Sequence, residues 1–365
     1  MRRFVGRRIH GTTACRAKRH NIPSLTLYVT LATVSGIGSV TDKAGSVGMS
    51  GVAAVLPPRS YSLDELAAAG LLDSSPQTLA GLGFERAYIS DADSRPEQMA
   101  LDAARAALDD AGLGPHDIDA VIWAGARTES HILRADAASP LSPPDVLGGF
   151  RYASAWLQQQ LDLRNADVMA VAQQGCSTMF SAVRLARTLL IAEPERCHHV
   201  LCVGVDVLPT GAPREILYNV ISDGACAVIV SRGCPSDVWL GYRQISRGYY
   251  GDPAVCGPEI IAAYFPVAKA VIDQVLCEQG LRPDQVDVVI PTGVSHASWD
   301  VLLRLTGVPS DRLYRGVASF GHTMTSDSFV FLSALRRAAH VPRGSRLLLF
   351  TYGFGSSWCG LLLEH

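Results

Sequence analysis

Residues 107–122 of this chain recur as residues 275–290. The first copy reads ALDDAGLGPHDIDAVI and the second VLCEQGLRPDQVDVVI. Leu108 matches Leu276, Gly112 matches Gly280, Pro115 matches Pro283 and Asp119 matches Asp287, at a constant offset. Each copy has the same punctuation: a helix stopped by Gly, a Pro turn, an Asp and then an apolar run of strand type. A second pair follows in the same order. Gly175-Cys176 precedes a helix from Ser177 to Ile191 and a strand from His199 to Val205; Gly321-His322 precedes a helix from Ser328 to Ala339 and a strand from Arg346 to Thr351. A chain built this way folds as two like halves about a pseudo-twofold axis. That symmetry places Cys176 and His322 at equivalent helix starts facing one cleft.

Between these landmarks, helical spacing alternates with short buried-strand runs such as Ala120–Ala124 and Ala225–Val230, so the class is α/β. Hydrophobic residues are 48% of the 365, enough for a large core. The net charge of -2 gives no general pull toward nucleic acid or an anionic membrane, and no uninterrupted apolar run is long enough to span a bilayer. Residues 1–48 stand apart: Arg2, Arg3, Arg7, Arg8, Arg16, Lys18 and Arg19 all precede the first acid, Asp42. We read them as a basic tail, disordered or ahead of a start at Met49. Residues 49–235 then form the half with Cys176, and residues 236–365 the other half. The proline-rich stretch 128–149, with its Gly-Gly pair, reads as a long loop.

Nine cysteines without a C-x-x-C pair argue against a zinc site or a disulfide scaffold, so no metal is expected. Most are small buried residues of a reducing compartment. Cys176 differs because it sits where a strand hands over to a helix. Unpaired N–H groups and partial positive charge at a helix start favour thiolate and can hold an oxyanion.

Around that cysteine, Gln174-Gly175-Cys176-Ser177-Thr178-Met179-Phe180 resembles the active-site segment of ketoacyl-ACP synthase III and its relatives in the thiolase superfamily. Four more segments agree in the family's order. Leu56-Pro57 is similar to the exit of the first strand. Ser222-Asp223-Gly224-Ala225-Cys226-Ala227 is similar to G-D-G-A-G-A. Ile290-Pro291-Thr292-Gly293-Val294-Ser295 stands where the family has V-P-H-Q-A-N. Tyr352-Gly353-Phe354-Gly355-Ser356-Ser357-Trp358 is similar to F-G-x-G-x-T-W. The resemblance covers residues 50–365. It implies a thiolase fold, with duplicated βαβαβ halves in a five-layered α-β-α-β-α arrangement. It also implies a homodimer, a cytoplasmic location, and acyl-CoA or an acyl carrier protein as substrate, with no separate cofactor.

The chain departs from the family's Cys, His and Asn. The His of H-Q-A-N falls on Thr292, and His296 lies further on, in the next helix. The family's Asn falls on His322, a pattern that resembles the general-base His of thiolases. Asp327 stands where some synthase-III-like acyltransferases carry an Asp. The resemblance therefore implies Cys176, His322 and Asp327 as catalytic residues. Thr292 is expected to bind substrate, and the Phe354 N–H to complete an oxyanion hole with that of Cys176. Decarboxylation of a malonyl unit wants two neutral donors at the enolate, whereas a Cys–His pair suffices for acyl transfer. We expect an acyltransferase that passes an acyl group from Cys176 to an alcohol or amine acceptor, in specialised-metabolite, polyketide-type or antibiotic biosynthesis. The alternatives are a condensing ketoacyl synthase and a catalytically silent partner subunit.

Overall fold

The structure is a computed structural model that describes residues 45–126, 152–338 and 341–365. Residues 1–44 of the basic tail and the stretch 128–149 lie outside the described residues. The first half runs β1 (Val47–Val55), β2 (Ser60–Ser62), α1 (Leu63–Ala68), α2 (Pro76–Gly81), β3 (Arg86–Tyr88), α3 (Pro96–Ala111) and β4 (Ala120–Ala124). It continues with α4 (Ala153–Gln160), β5 (Asp167–Val171), α5 (Thr178–Ala192), β6 (His199–Asp206), β7 (Glu215–Ile216), β8 (Asn219–Val220) and β9 (Gly224–Arg232). The second half runs β10 (Val238–Ser246), α6 (Gly257–Glu278), β11 (Val288–Ile290), α7 (His296–Thr306), α8 (Val317–Phe320), α9 (Asp327–Ala338), β12 (Arg346–Gly353) and β13 (Ser357–Glu364).

The main strands are ordered β11-β12-β13-β10-β1-β9-β6-β4-β5. In the first half β4 lies parallel to β5 and β6, while β6–β9 and β9–β1 are antiparallel. The second half repeats this: β11–β12 is parallel, and β12–β13 and β13–β10 are antiparallel. Its counterpart of β5 is reduced to a parallel bridge between Val289 and Leu313. The two halves meet at the Gly48–Val238 pair. The duplication read from the sequence is thus the plan of the fold.

Strand side chains alternate between two faces, and here both faces are covered. On β12, Leu347 and Leu349 enter the cluster that holds α5 and α9, whereas Leu348 and Phe350 enter the cluster of α6 and α7. On the other side, Val121 and Leu201 pack with α3, while Ile122 and Cys202 face α5. Three cores separated by two sets of strands make the five layers, with α5 and α9 as the buried middle. Phe180 of α5 meets Phe329 of α9 edge-on at 5.4 Å across the pseudo-twofold.

Local signals explain the element ends. Pro96 opens α3, and Gly112, at φ 66, closes it in the left-handed conformation. Ser295 caps α7 by accepting from the Ser298 N–H. Two features differ from expectation. β1 begins at Val47, ahead of Met49, and Met49 is fully buried with its N–H donating to Asp237 O at 3.1 Å. In addition, α6 is long and apolar enough to cross a membrane although no run in the sequence is uninterrupted. Its inner residues Val271 and Val275 pack into the core it shares with β13.

Candidate active site

The nucleophile turn is set by close approach of two backbones. After β5 the chain passes Gln173 at φ 68 and Gly175 at φ 52, makes a short 3-10 turn over Gly175–Ser177, and enters α5. A Cβ on Gly175 would lie 2.5 Å from Phe354 N, and one on Gly353 would lie 1.9 Å from Gln174 O. Only glycine permits this contact. It brings the turn after β12 against the turn that carries Cys176, with the Phe354 backbone beside that turn.

His322 arrives from the other half. Its Nε2 is 3.4 Å from Cys176 Sγ. Its position is fixed by a strand-like bridge: His322 N donates to Val220 O at 2.8 Å, and Ser222 N donates to His322 O at 2.9 Å. This corrects the expected equivalence with Cys176. The 3-10 turn matching Gly175–Ser177 is Met324–Ser326, so the counterpart of Cys176 is Thr325. His322 precedes that turn and reaches the sulfur because it pairs with the segment after β8.

Asp327 opens α9 and gathers five donors. Its Oδ2 accepts from His322 Nδ1 at 2.5 Å, Thr292 Oγ1 at 2.9 Å and Gly293 N at 2.6 Å. Its Oδ1 accepts from Thr323 N at 2.5 Å and Thr323 Oγ1 at 3.0 Å. Cys176, His322 and Asp327 therefore form one line. Burial alone would push the His322 pKa down, but the Asp327 carboxylate and Cys176 outweigh it and hold the imidazole well above its usual value. With Nδ1 donating to Asp327, Nε2 is the atom left for the sulfur.

Thr292, expected to bind substrate, stands elsewhere. It is 1% exposed, gives its hydroxyl to Asp327 and does not line the cavity. His296 opens α7 with its ring against Gly83, and it also lies off the cavity. The cavity itself has a volume of about 960 Å³ and is walled by Cys176, His322 and Phe354 together with apolar side chains such as Leu208, Ile260 and Phe265. The other described cysteines are also free. Burial pushes the thiols of Cys226 and Cys359 up to about 12 and that of Cys197 to about 11, which leaves them poor nucleophiles at neutral pH.

Two buried acids were not anticipated as part of this neighbourhood. Asp206 accepts from Thr325 N and Ala126 N, both at 3.0 Å, and burial pushes its carboxyl up to about 6 despite those bonds. The signal was an acid closing the apolar run of β6. Asp223, inside one of the resembling segments, pairs with buried Arg214 at 2.5 Å and accepts from Ser90 N and Leu208 N.

Comparison with known proteins agrees with this fold. Residues 276–365 match the family described as 3-Oxoacyl-[acyl-carrier-protein (ACP)] synthase III C terminal. A β-ketoacyl-[acyl-carrier-protein] synthase III of Methylococcus capsulatus is 24% identical over 338 residues, 87% of this chain and 98% of that protein. Among solved structures, the acyltransferase ChlB3 superposes with a TM-score of 0.73 at 19% identity, over 87% of this chain and 97% of that one. The priming β-ketosynthase from the R1128 polyketide biosynthetic pathway superposes with a TM-score of 0.69 at 24% identity, over 88% and 96%. The family match over the C-terminal residues and these likenesses along the chain make it similar to ketoacyl-ACP synthase III proteins, with which it shares the thiolase-type fold.

Proposed function

We propose that the protein is an acyltransferase that loads an acyl group onto Cys176 from acyl-CoA or an acyl carrier protein and passes it to an alcohol or amine. The Cys176 sulfur attacks the donor's thioester carbonyl. The N–H groups of Cys176 and Phe354 hold the oxyanion, and the donor thiol leaves with a proton from His322. The acceptor then enters, and His322 Nε2 removes its proton as it attacks the Cys176 thioester. Collapse of that second intermediate expels the sulfur. Asp327 keeps Nδ1 protonated and the ring aimed throughout.

Before loading, Cys176 contributes to holding the His322 pKa up, which suits an imidazolium that protonates a leaving thiol. The acylated sulfur carries no charge, so that contribution vanishes and His322 gives up its proton more readily, leaving the neutral imidazole that the acceptor needs as its base.

The observation that carries this reading is the Cys176–His322–Asp327 line, with contacts of 3.4 and 2.5 Å and the Thr292 hydroxyl spent on Asp327. A decarboxylating synthase needs a second donor at the enolate, and Thr292 is turned away from the cavity. The likeness to ChlB3 and to the R1128 ketosynthase supports a place in polyketide-type specialised metabolism. By the same likeness we read the protein as a homodimer, with the open edge of β5 at the twofold.

The test is acceptor acylation measured beside carbon dioxide release from a malonyl donor. His322→Ala lowers acylation by about 10²–10⁴, and Thr292→Val lowers it by less than about tenfold. Malonyl-dependent carbon dioxide release with no acylated acceptor would defeat the reading.

A further inference from the structure

The hairpin of β7 and β8 breaks the usual chemistry of its turn. A two-residue hairpin loop with both residues at positive φ favours Asn-Gly or Asp-Gly. Here the loop is Leu217 at φ 48 and Tyr218 at φ 62. Both are bulky, both are exposed (56% and 61%), and both line the cavity that contains Cys176. Ile261, on the first turns of α6, is 64% exposed and lines the same mouth. Strain and exposed apolar surface at one place mark a binding element.

The hairpin is also rigid. Asn219 Nδ2 donates to the carbonyls of Ile216 and Leu217, each at 3.1 Å. Glu215, buried at the base, accepts from Asp73 N at 2.9 Å, Ser74 N at 2.8 Å and Ser74 Oγ at 2.6 Å. Val220, which ends the hairpin, is the residue whose carbonyl holds His322 N. One stiff arm thus joins the mouth of the cavity to the proposed base.

We propose that the Leu217–Tyr218 tip binds the uncharged, apolar body of the acyl acceptor, a proposal that rests on the acyl-transfer reading. The tip is continuous with the cavity, so its occupant has a reacting end that reaches Cys176. Among the described residues lining that cavity none is Lys, Arg, Asp or Glu, and His322 lies at the Cys176 end, so no described charged side chain meets the occupant at the tip. A bulky lipophilic alcohol or amine buries the exposed side chains of Leu217 and Ile261 against it.

The test uses the double variant Leu217→Asn/Tyr218→Gly, which removes the apolar tip while installing the pair this turn prefers. Enzyme loaded from hexanoyl N-acetylcysteamine is offered 1-butanol, 1-octanol and 1-adamantanemethanol, and their amines. The wild type is expected to favour the bulkiest acceptor over butanol by about tenfold or more in kcat/KM, and the variant to lose most of that ratio. An unchanged ratio, or no size preference in the wild type, overturns the proposal. If the loaded enzyme acylates no acceptor at all, the acyl-transfer reading fails separately, and equilibrium binding of 1-adamantanemethanol decides the tip. Binding about tenfold weaker in the variant supports the proposal, and equal binding overturns it. A variant that changes sedimentation shows the tip to be a subunit contact and also overturns it.

Discussion

Asp327 accepts five hydrogen bonds, and one of its donors is the imidazole that faces the nucleophile. Asp327→Asn swaps an acceptor for an amide and frees the His322 ring to adopt the other tautomer. The expected loss in acyl transfer is on the order of 10³, measured as single-turnover acylation of an acceptor. A loss below about tenfold would mean that His322 is aimed by its backbone bridge alone. The titration of His322 carries a second prediction. Its folded pKa is raised, so its contribution to stability is full below the pKa of an unfolded histidine and disappears as pH rises through the folded value. Urea midpoints of the wild type and His322→Gln should therefore converge as pH is raised above neutrality. A gap that widens instead would contradict the charge assigned to the ring. Cys176 was legible from its resembling segment, His322 from the repeat and from the family's Asn falling on it, and Asp327 from the Asp that some synthase-III-like acyltransferases carry there. The place of Thr292 was not, because its partner Asp327 lies far along the chain and only the fold joins them.

The turn after β5 shows what local pattern can and cannot reveal. The helix after Cys176 is legible from its apolar spacing, and its observed span is Thr178–Ala192. The 3-10 turn before it, and its twin at Met324–Ser326, were not legible, because a single tight turn leaves no periodicity. That omission is why His322 was placed at a helix start. Its true position comes from the bridge to Ile221, a pairing between distant segments. The β7–β8 hairpin was missed for a related reason: Leu217-Tyr218 carries none of the usual turn residues. Gly175→Ala tests the turn itself. The added Cβ must take a left-handed φ and meets the Phe354 backbone at 2.5 Å, so destabilisation of about 1–3 kcal/mol is expected with loss of acyl loading. Wild-type stability and loading in this variant would show that the two turns separate without consequence.

At the scale of the whole molecule, the repeat in the sequence maps onto strand order, strand direction and the paired 3-10 turns. The seam between the two halves of the sheet was harder to read, because the ladder that joins them is the single Gly48–Val238 pair at the start of β1. A chain beginning at Met49 loses Val47 and Gly48 and with them that pair. It is expected to melt below a chain that begins at Gly45, and equal melting temperatures would show the seam to be dispensable. The homodimer is tested by sedimentation at micromolar concentration, where a monomer counts against pairing at β5. The central claim is that Cys176 carries the acyl group between donor and acceptor. Intact-protein mass spectrometry after incubation with acyl-CoA and acyl carrier protein donors tests it most directly. The account predicts one acyl mass on the wild type, none on Cys176→Ala, and loss of that mass to an acylated product when an alcohol or amine is added. The same mass on Cys176→Ala would contradict it.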